Sequence, residues 1–179
     1  MNLIYFEICF VLLNTVFLYS LSFIGCLLIK KRYQLSLFTF SAMYLLINFN
    51  GNITAQLGAG HYVWAGFFLL PFYCLFVLEL IEGKHSLSQS TKLALILFAM
   101  ILQGTYHFYT WGVMFLLLLA LFAREHAKPI LIAVALSVPL VAVRVLPAAM
   151  TFWGAEREFV SGYPTLLHLL EGLIVIKPH

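Results

Sequence analysis

The sequence contains no aspartate and few charged residues of any kind. All seven acidic residues are glutamates; Asp, Glu, Lys and Arg make up 9% of the 179 residues, whereas 63% are hydrophobic. A soluble core of this length could not cover itself with so little polar surface. The composition therefore excludes a soluble globular protein and predicts one that is solvated by membrane lipid.

Cysteine is also scarce, and the positive charge is modest. Cys9, Cys26 and Cys74 lie inside apolar runs, which favours packing over disulfide bonds or metal binding. The net charge of +3 comes from basic residues at the ends of apolar stretches, where they are expected to anchor to lipid headgroups. Membrane lipid is therefore a predicted partner, and nucleic acid is not.

The basic residues also predict the topology. Seven of the ten lie in three short runs between apolar stretches: Lys30, Lys31 and Arg32; Lys84 and Lys92; Arg124 and Lys128. If these runs face the cytoplasm, the amino terminus lies outside. No positive charge precedes the first apolar stretch, Ile4–Ile29, and it is longer than the core of a signal peptide. We interpret it as a membrane helix.

Further apolar segments follow in both directions across the membrane. The second ends at Asn50-Gly51-Asn52, the third is expected to kink at Pro71, and the last is expected to be broken by Pro139. The segments after the first are Leu35–Phe49, a Gly-rich turn or partly inserted piece at Ile53–Tyr62, Val63–Ile81, and a final span at Pro129–Val145.

The stretch Leu93–Phe122 allows two interpretations. As one helix it would be about 45 Å long, well beyond a hydrocarbon core of about 30 Å. As a hairpin of two short helices, Leu93–Leu102 and Tyr109–Phe122, it would turn at Gln103–His107 and keep all seven clustered basic residues on one face. A polar turn inside the bilayer is permissible where it lines a protein cavity, and we favour the hairpin.

The predicted fold class is therefore all-α. We expect a polytopic helical membrane protein with about six membrane-embedded segments, including the short-helix hairpin, and an interfacial helix near the carboxyl terminus at Thr165–Ile176. The predicted domains are a transmembrane domain, residues 1–147, and an extracytoplasmic tail, residues 148–179. The predicted location is the cytoplasmic (inner) membrane, with the amino terminus and the tail both extracytoplasmic.

Polar groups converge on the predicted outer face, where they are costly in lipid and usually serve partners or substrates. Gln103 and His107 share a face if the turn between them is helical. The candidates for substrate binding are His61, Gln103, His107 and Arg144, near Asn50, Asn52 and Gln56. The histidines could instead be interface residues bonded to carbonyls. No metal site or cofactor is predicted, since neither histidine has a second ligand at the right spacing.

Arg144 is the most informative candidate, because a guanidinium at the outer end of a span needs an anionic partner. A lipid phosphate would bind it bidentately, although ordinary phospholipid headgroups could do the same. Glu156 and Glu158 are weak catalytic candidates, with a solvated loop as the alternative. The three tryptophans, Trp64, Trp111 and Trp153, are interpreted as an aromatic belt at the outer boundary.

Several segments, taken in order, resemble the central part of bacterial multi-pass glycosyltransferases of the GT-C type. They span roughly residues 35–173 and comprise Asn50-Gly51, Gly60-His61-Tyr62-Val63-Trp64, Leu70-Pro71, Gln103-Gly104-Thr105-Tyr106-His107-Phe108, Arg144-Val145-Leu146-Pro147-Ala148 and Ser161-Gly162-Tyr163-Pro164. The resemblance implies an enzyme that transfers a sugar from a polyprenyl-phosphate carrier on the outer side of the membrane. Arg144, His61 and His107 would then border the lipid-phosphate site.

The chain departs from that group in one respect. Its members carry an acidic residue, usually Asp, in a large outer loop after the first helix, where it acts as general base. This chain has no Asp and no such loop. The expectation is a fragment or a shortened relative that lacks the catalytic loop. The alternatives are a non-enzymatic membrane subunit with a membrane protein partner and, third, a small-solute transporter, suggested by the broken helices.

Overall fold

The described part of the protein consists of helices and short connections, without strands. A computed structural model describes residues 3–83 and 86–152, with side chains throughout except at 3–8, 10, 151 and 152. The α-helices of this part are α1 (Leu3–Tyr33), α2 (Leu37–Asn48), α3 (Gly51–Gly58), α4 (Leu70–Ile81), α5 (Leu87–Leu102), α6 (Tyr106–Phe122) and α7 (Ala127–Phe152). Two 3₁₀ helices, Tyr62–Leu69 and Arg124–His126, lead into α4 and α7. The predicted all-α fold class is confirmed.

Contacts divide the chain into two units, Met1–Leu146 and Pro147–His179. The helical bundle belongs to the first unit. Of the second unit, the described residues are 147–152, which form the end of α7. The predicted interfacial helix at Thr165–Ile176 and the tryptophan at position 153 lie outside the described residues.

Three helical segments in the described part are long and apolar enough to cross a membrane: Val11–Tyr33, Tyr62–Ile81 and Arg124–Met150. Helices α5 and α6 are also apolar but shorter, at about 24 to 26 Å against a hydrocarbon core of about 30 Å. Large hydrophobic side chains are exposed along the bundle, for example Phe38, Phe122 and Met150. An apolar exterior of this extent is expected of a helical membrane protein.

Helix α1 packs against α4 through small side chains. Ser22 and Cys26 are fully buried, and a Cβ on Gly25 would lie 2.8 Å from the Cβ of Pro71 in α4. These residues are spaced three or four apart and therefore share one face of α1. Small residues let two membrane helices approach closely, which compensates for the lack of a hydrophobic driving force in lipid.

Charged side chains join the same two helices at their carboxyl ends. Arg32 bonds to Glu79 at 3.0 Å and also contacts Glu82, while the Tyr33 hydroxyl donates to Glu82 at 2.6 Å. At this end Ser90, in the first turn of α5, donates to the Pro129 carbonyl at the start of α7. We call this the basic end of the bundle and the opposite end the non-basic end.

The segment after α2 is more regular than predicted. The sequence predicts a Gly-rich turn or a partly inserted segment at Ile53–Tyr62. Residues Gly51–Gly58 form a helix, α3, so the predicted turn is wrong, and partial insertion stays a prediction. The Asn50 side chain caps it by accepting from the backbone N–H groups of Asn52 and Ile53, at 3.1 and 3.3 Å. Asparagine is among the best N-cap residues, since its oxygen satisfies donors that lack a partner within the helix. Asn50 therefore separates two helices, as well as ending the first.

Pro71 lies at a change of helix type, whereas Pro139 does not interrupt its helix. Pro71 lies in the first turn of α4, where a missing N–H is tolerated, and the backbone N–H of Leu70 donates to the Phe67 carbonyl that Pro71 cannot serve. The helix is 3₁₀ before this point and α after it. Helix α7 continues without a break through Pro139 and Pro147, so the predicted interruption of the last span is wrong.

The predicted hairpin is present. Helices α5 and α6 are joined by three residues, Gln103–Thr105, and Gly104 has a φ of +79°, in the left-handed region that favours glycine. Both helices are longer than predicted: α5 begins at Leu87 and α6 at Tyr106. The hairpin places the start of α5 and the end of α6 at the basic end, and its turn at the non-basic end.

The turn of the hairpin is in very close contact with the 3₁₀ helix Tyr62–Leu69. A Cβ on Gly66 would lie 2.1 Å from Oγ1 and 2.6 Å from Cγ2 of Thr105. Thr105 is fully buried, and its hydroxyl donates to the Met100 carbonyl of α5. The threonine side chain is therefore fixed and cannot move away from an added methyl group.

We predict that Gly66→Ala destabilises the protein by roughly 1–3 kcal/mol, because it overpacks a fixed contact. Thermal unfolding in detergent measures this. Gly58→Ala is the matched control: an added Cβ there has no atom within 4 Å, and the change should be neutral or stabilise by about 0.4–1 kcal/mol. Equal effects of the two changes would contradict the close contact.

Candidate functional site

The non-basic end of the bundle carries a cluster of aromatic rings around one histidine. The His107 ring lies 4.7 Å from the Trp64 ring, 4.4 Å from the Phe108 ring and 5.4 Å from the Trp111 ring, measured between centroids. His107 and Trp111 are four residues apart in α6 and share one face of the helix, while Trp64 comes from the 3₁₀ helix. We call these four residues the His107 cluster.

The imidazole of His107 has a buried nitrogen atom. Its Nε2 atom is buried and makes no hydrogen bond with any described residue. A buried polar atom without a partner costs roughly 1–3 kcal/mol, and such atoms are rare in folded proteins. The aromatic rings thus hold the imidazole in an orientation that its hydrogen bonding alone would not favour.

Gln103, the second residue predicted in this turn, faces a different helix. Its side-chain oxygen accepts a hydrogen bond from Nδ2 of Asn14 in α1, at 3.2 Å. The turn between Gln103 and His107 is not helical, because α5 ends at Leu102 and α6 begins at Tyr106. The two side chains therefore do not share a helical face, although both lie at the non-basic end.

His61 lies beside the His107 cluster but outside it. It immediately precedes the 3₁₀ helix, where its carbonyl accepts from the backbone N–H of Trp64 at 3.1 Å. Its side chain is exposed, and Nδ1 is 2.6 Å from Oε1 of Gln56 in α3. His61 and His107 are thus linked through Trp64, and His61 is the more accessible of the two.

Arg144 lies on nearly the same face of α7 as the residues that pack against the bundle, but further along the helix. Ala133 and Ser137 are fully buried on that face, and Ser137 lies 3.3 Å from the Tyr109 hydroxyl of α6. Arg144 is seven residues beyond Ser137, which is two turns and about 10 Å further along nearly the same face. Since α6 begins just before Tyr109, the exposed Arg144 side chain lies level with the hairpin turn or beyond it.

A groove runs between α1 and α2 on the outer surface of the bundle. It has a volume of about 680 Å³ and combines apolar walls with four hydroxyl groups. Its lining residues are Thr15, Val16, Tyr19, Ser20, Phe23, Ile24 and Tyr44. Because this part of α1 belongs to a membrane span, the groove is of a kind that lipid chains can enter.

The remaining predicted site residues are Asn52, which is exposed, and the glutamates. Glu156 and Glu158 lie outside the described residues. Within residues 3–83 and 86–152, no three His, Cys, Asp or Glu side chains come together in a way that could hold a metal ion.

Three contributors to the site, Asn14, Trp64 and Trp111, are not predicted from the sequence as parts of it. Asn14 is an amide near the middle of a long apolar run. Polar groups in such runs usually have partners in the bundle, so the position of Asn14 is a signal in the sequence for a contact with another helix. The sequence predicts that Trp64 and Trp111 belong to an aromatic belt. Their spacing along the chain does not indicate that both contact one histidine. That contact depends on the hairpin docking against the 3₁₀ helix.

Comparisons of the chain with protein families, with curated proteins and with solved structures find no significant match. The functional interpretation therefore rests on the sequence and on the geometry of the non-basic end.

We predict that Asn14 and Gln103 are energetically coupled. Asn14→Leu and Gln103→Leu should each destabilise the protein, and the double variant should lose less than the sum, by about 1 kcal/mol for one interhelical hydrogen bond. Thermal unfolding of the four proteins measures the coupling. Ser20→Ala paired with Gln103→Leu is the control and should be additive, since the Ser20 hydroxyl bonds within its own helix.

Proposed function

We propose that this protein is a glycosyltransferase-like integral membrane protein that binds a polyprenyl-phosphate-linked sugar at its non-basic end. We place that end on the outer face of the cytoplasmic membrane. The observation that carries the proposal is the docking of the hairpin turn against the 3₁₀ helix. It gathers Gln103, His107 and the His61–Trp64 segment at one end of an otherwise apolar bundle.

The chemistry of this end fits the three parts of such a ligand. Arg144, exposed on the bundle-facing side of α7, supplies a bidentate donor for phosphate. The His107 cluster, Gln103 and His61 supply polar atoms and rings for a sugar. The groove between α1 and α2 accommodates an apolar chain, and Thr15 in its wall is next to Asn14, which bonds to Gln103.

The catalytic part of the proposal depends on residues outside this bundle region. Glu156 and Glu158 remain the predicted candidates for an acid or base. A binding role does not require them, so the proposal separates into a ligand-binding claim and a transfer claim. The first can be tested on its own.

We expect Arg144→Gln to weaken binding of polyprenyl phosphate by roughly ten- to a hundred-fold, since a hydrogen bond to a charged group contributes about 1.5–3 kcal/mol. Binding is measured on protein in nanodiscs of neutral lipid. Arg124→Gln is the matched control: Arg124 is also exposed but lies at the basic end, and its loss should change binding less than two-fold. Equal affinities for wild type and Arg144→Gln would remove the proposal and favour the non-enzymatic subunit.

We predict the orientation as well. In a variant without native cysteines, a membrane-impermeant maleimide should label Ala59→Cys, near the non-basic end, on intact bacterial cells whose outer membrane has been opened. It should label Ser88→Cys, at the basic end, only after the inner membrane is permeabilised. Both positions are exposed, so access to reagent is the one difference. The reverse pattern would show that the basic end faces outward.

A further inference from the structure

The unpartnered nitrogen of His107 is the feature of the non-basic end that packing does not explain. The ring is surrounded by Trp64, Phe108 and Trp111, and none of these can bond to Nε2 in the observed arrangement. A phenylalanine at this position would stack against the same rings at no hydrogen-bonding cost. The histidine therefore carries a penalty in the resting protein that a ligand could remove.

Trp111 is the ring best placed to move. It is 56% exposed, whereas Phe108 is buried and packs against Trp64 and Phe67. Rotation of an exposed side chain on a helix surface takes place in picoseconds to nanoseconds, and for Trp111 it would give up the edge-to-face contacts with His107 and Phe108. Displacing Trp111 would open the α6 side of the imidazole.

The route to this site is from the lipid. Trp111 heads a row of exposed apolar residues on α6, followed by Met114, Phe115 and Leu118, at the three- and four-residue spacing of one helix face. An unbroken apolar row of this kind faces acyl chains. A ligand that reaches His107 past Trp111 is therefore a membrane-borne molecule.

The surroundings also restrict the chemistry of the ligand. The rings in contact with His107 are apolar, and an ion brought among them would lose far more hydration energy than a hydroxyl group would. A neutral imidazole nitrogen can accept from or donate to a hydroxyl, according to its tautomer. We infer that the His107 cluster is a subsite for a hydroxyl-bearing lipid headgroup, with Trp111 as its cover. The inference rests on the ligand-binding part of the proposed function, in which this cluster receives the sugar, and not on sugar transfer.

Substituting His107 separates this role from packing. His107→Phe keeps the stacked rings and removes the unpartnered nitrogen, so in the absence of ligand the unfolding midpoint should rise by about 2–4 °C. Binding of hexyl glucoside, titrated below its micelle-forming concentration and followed by tryptophan fluorescence in phosphatidylcholine nanodiscs, should weaken by about tenfold or more. The opposite signs of the two effects identify a ligand-binding group.

Tyr106→Phe is the matched control, because it removes a hydroxyl from the same turn of α6 without touching the cluster. It should leave glucoside binding unchanged. The glucoside with its hydroxyls methylated is the matched ligand control and should bind at least tenfold more weakly to the wild type. Trp111→Leu uncovers the imidazole and should speed glucoside association several-fold, which keeps the test valid if His107→Phe fails to fold.

Two results would overturn the inference. An unchanged or lower unfolding midpoint for His107→Phe would show that Nε2 has a hydrogen-bonding partner in the resting protein. Glucoside binding that is absent in the wild type, or equal in wild type and His107→Phe, would show that the cluster is packing alone. Either result would also remove the sugar-binding role of the His107 cluster in the proposed function, whereas phosphate binding at Arg144 is tested separately with Arg144→Gln.

Discussion

The contact between Gly66 and Thr105 determines how the non-basic end is built. It brings the backbone of a 3₁₀ helix against the turn of a helical hairpin, at a separation that only a glycine allows. The threonine is fixed in turn by its own bond to the carbonyl of Met100. The contacts of Trp64 with His107 and Phe108 require these two segments to stay in register.

The two ends of the bundle are stabilised by different kinds of interaction. The basic end is joined by the ion pairs of Arg32 with Glu79 and Glu82, at positions where water and headgroups can share the charges. The non-basic end has neutral amide and aromatic contacts, such as Asn14 with Gln103. Neutral side chains at a membrane-facing surface can still form hydrogen bonds with a ligand, whereas charged groups that are already paired cannot.

The sequence was sufficient for the helical class and for the hairpin, because both follow from long-range constraints: apolar length against bilayer thickness, and basic residues kept on one face. The sequence was insufficient for features that depend on local hydrogen bonding of the backbone. The Asn50 side chain caps a helix where the sequence predicts a Gly-rich turn, and α7 continues through Pro139, where the sequence predicts a break. The His107 cluster could not be predicted either, since its rings come from two segments more than forty residues apart in the chain.

The interhelical hydrogen bonds of the membrane region differ in how much sequence change they permit. Gln89 donates to the carbonyl of Phe76, and Ser90 donates to that of Pro129. A backbone carbonyl belongs to every residue type, so the acceptor positions can vary freely as long as the helix persists. The donor positions cannot, because only a few side chains reach across. Among homologous chains, we therefore expect the residue types at positions 89 and 90 to be restricted to side chains that can donate. The residue types at positions 76 and 129 should vary more widely.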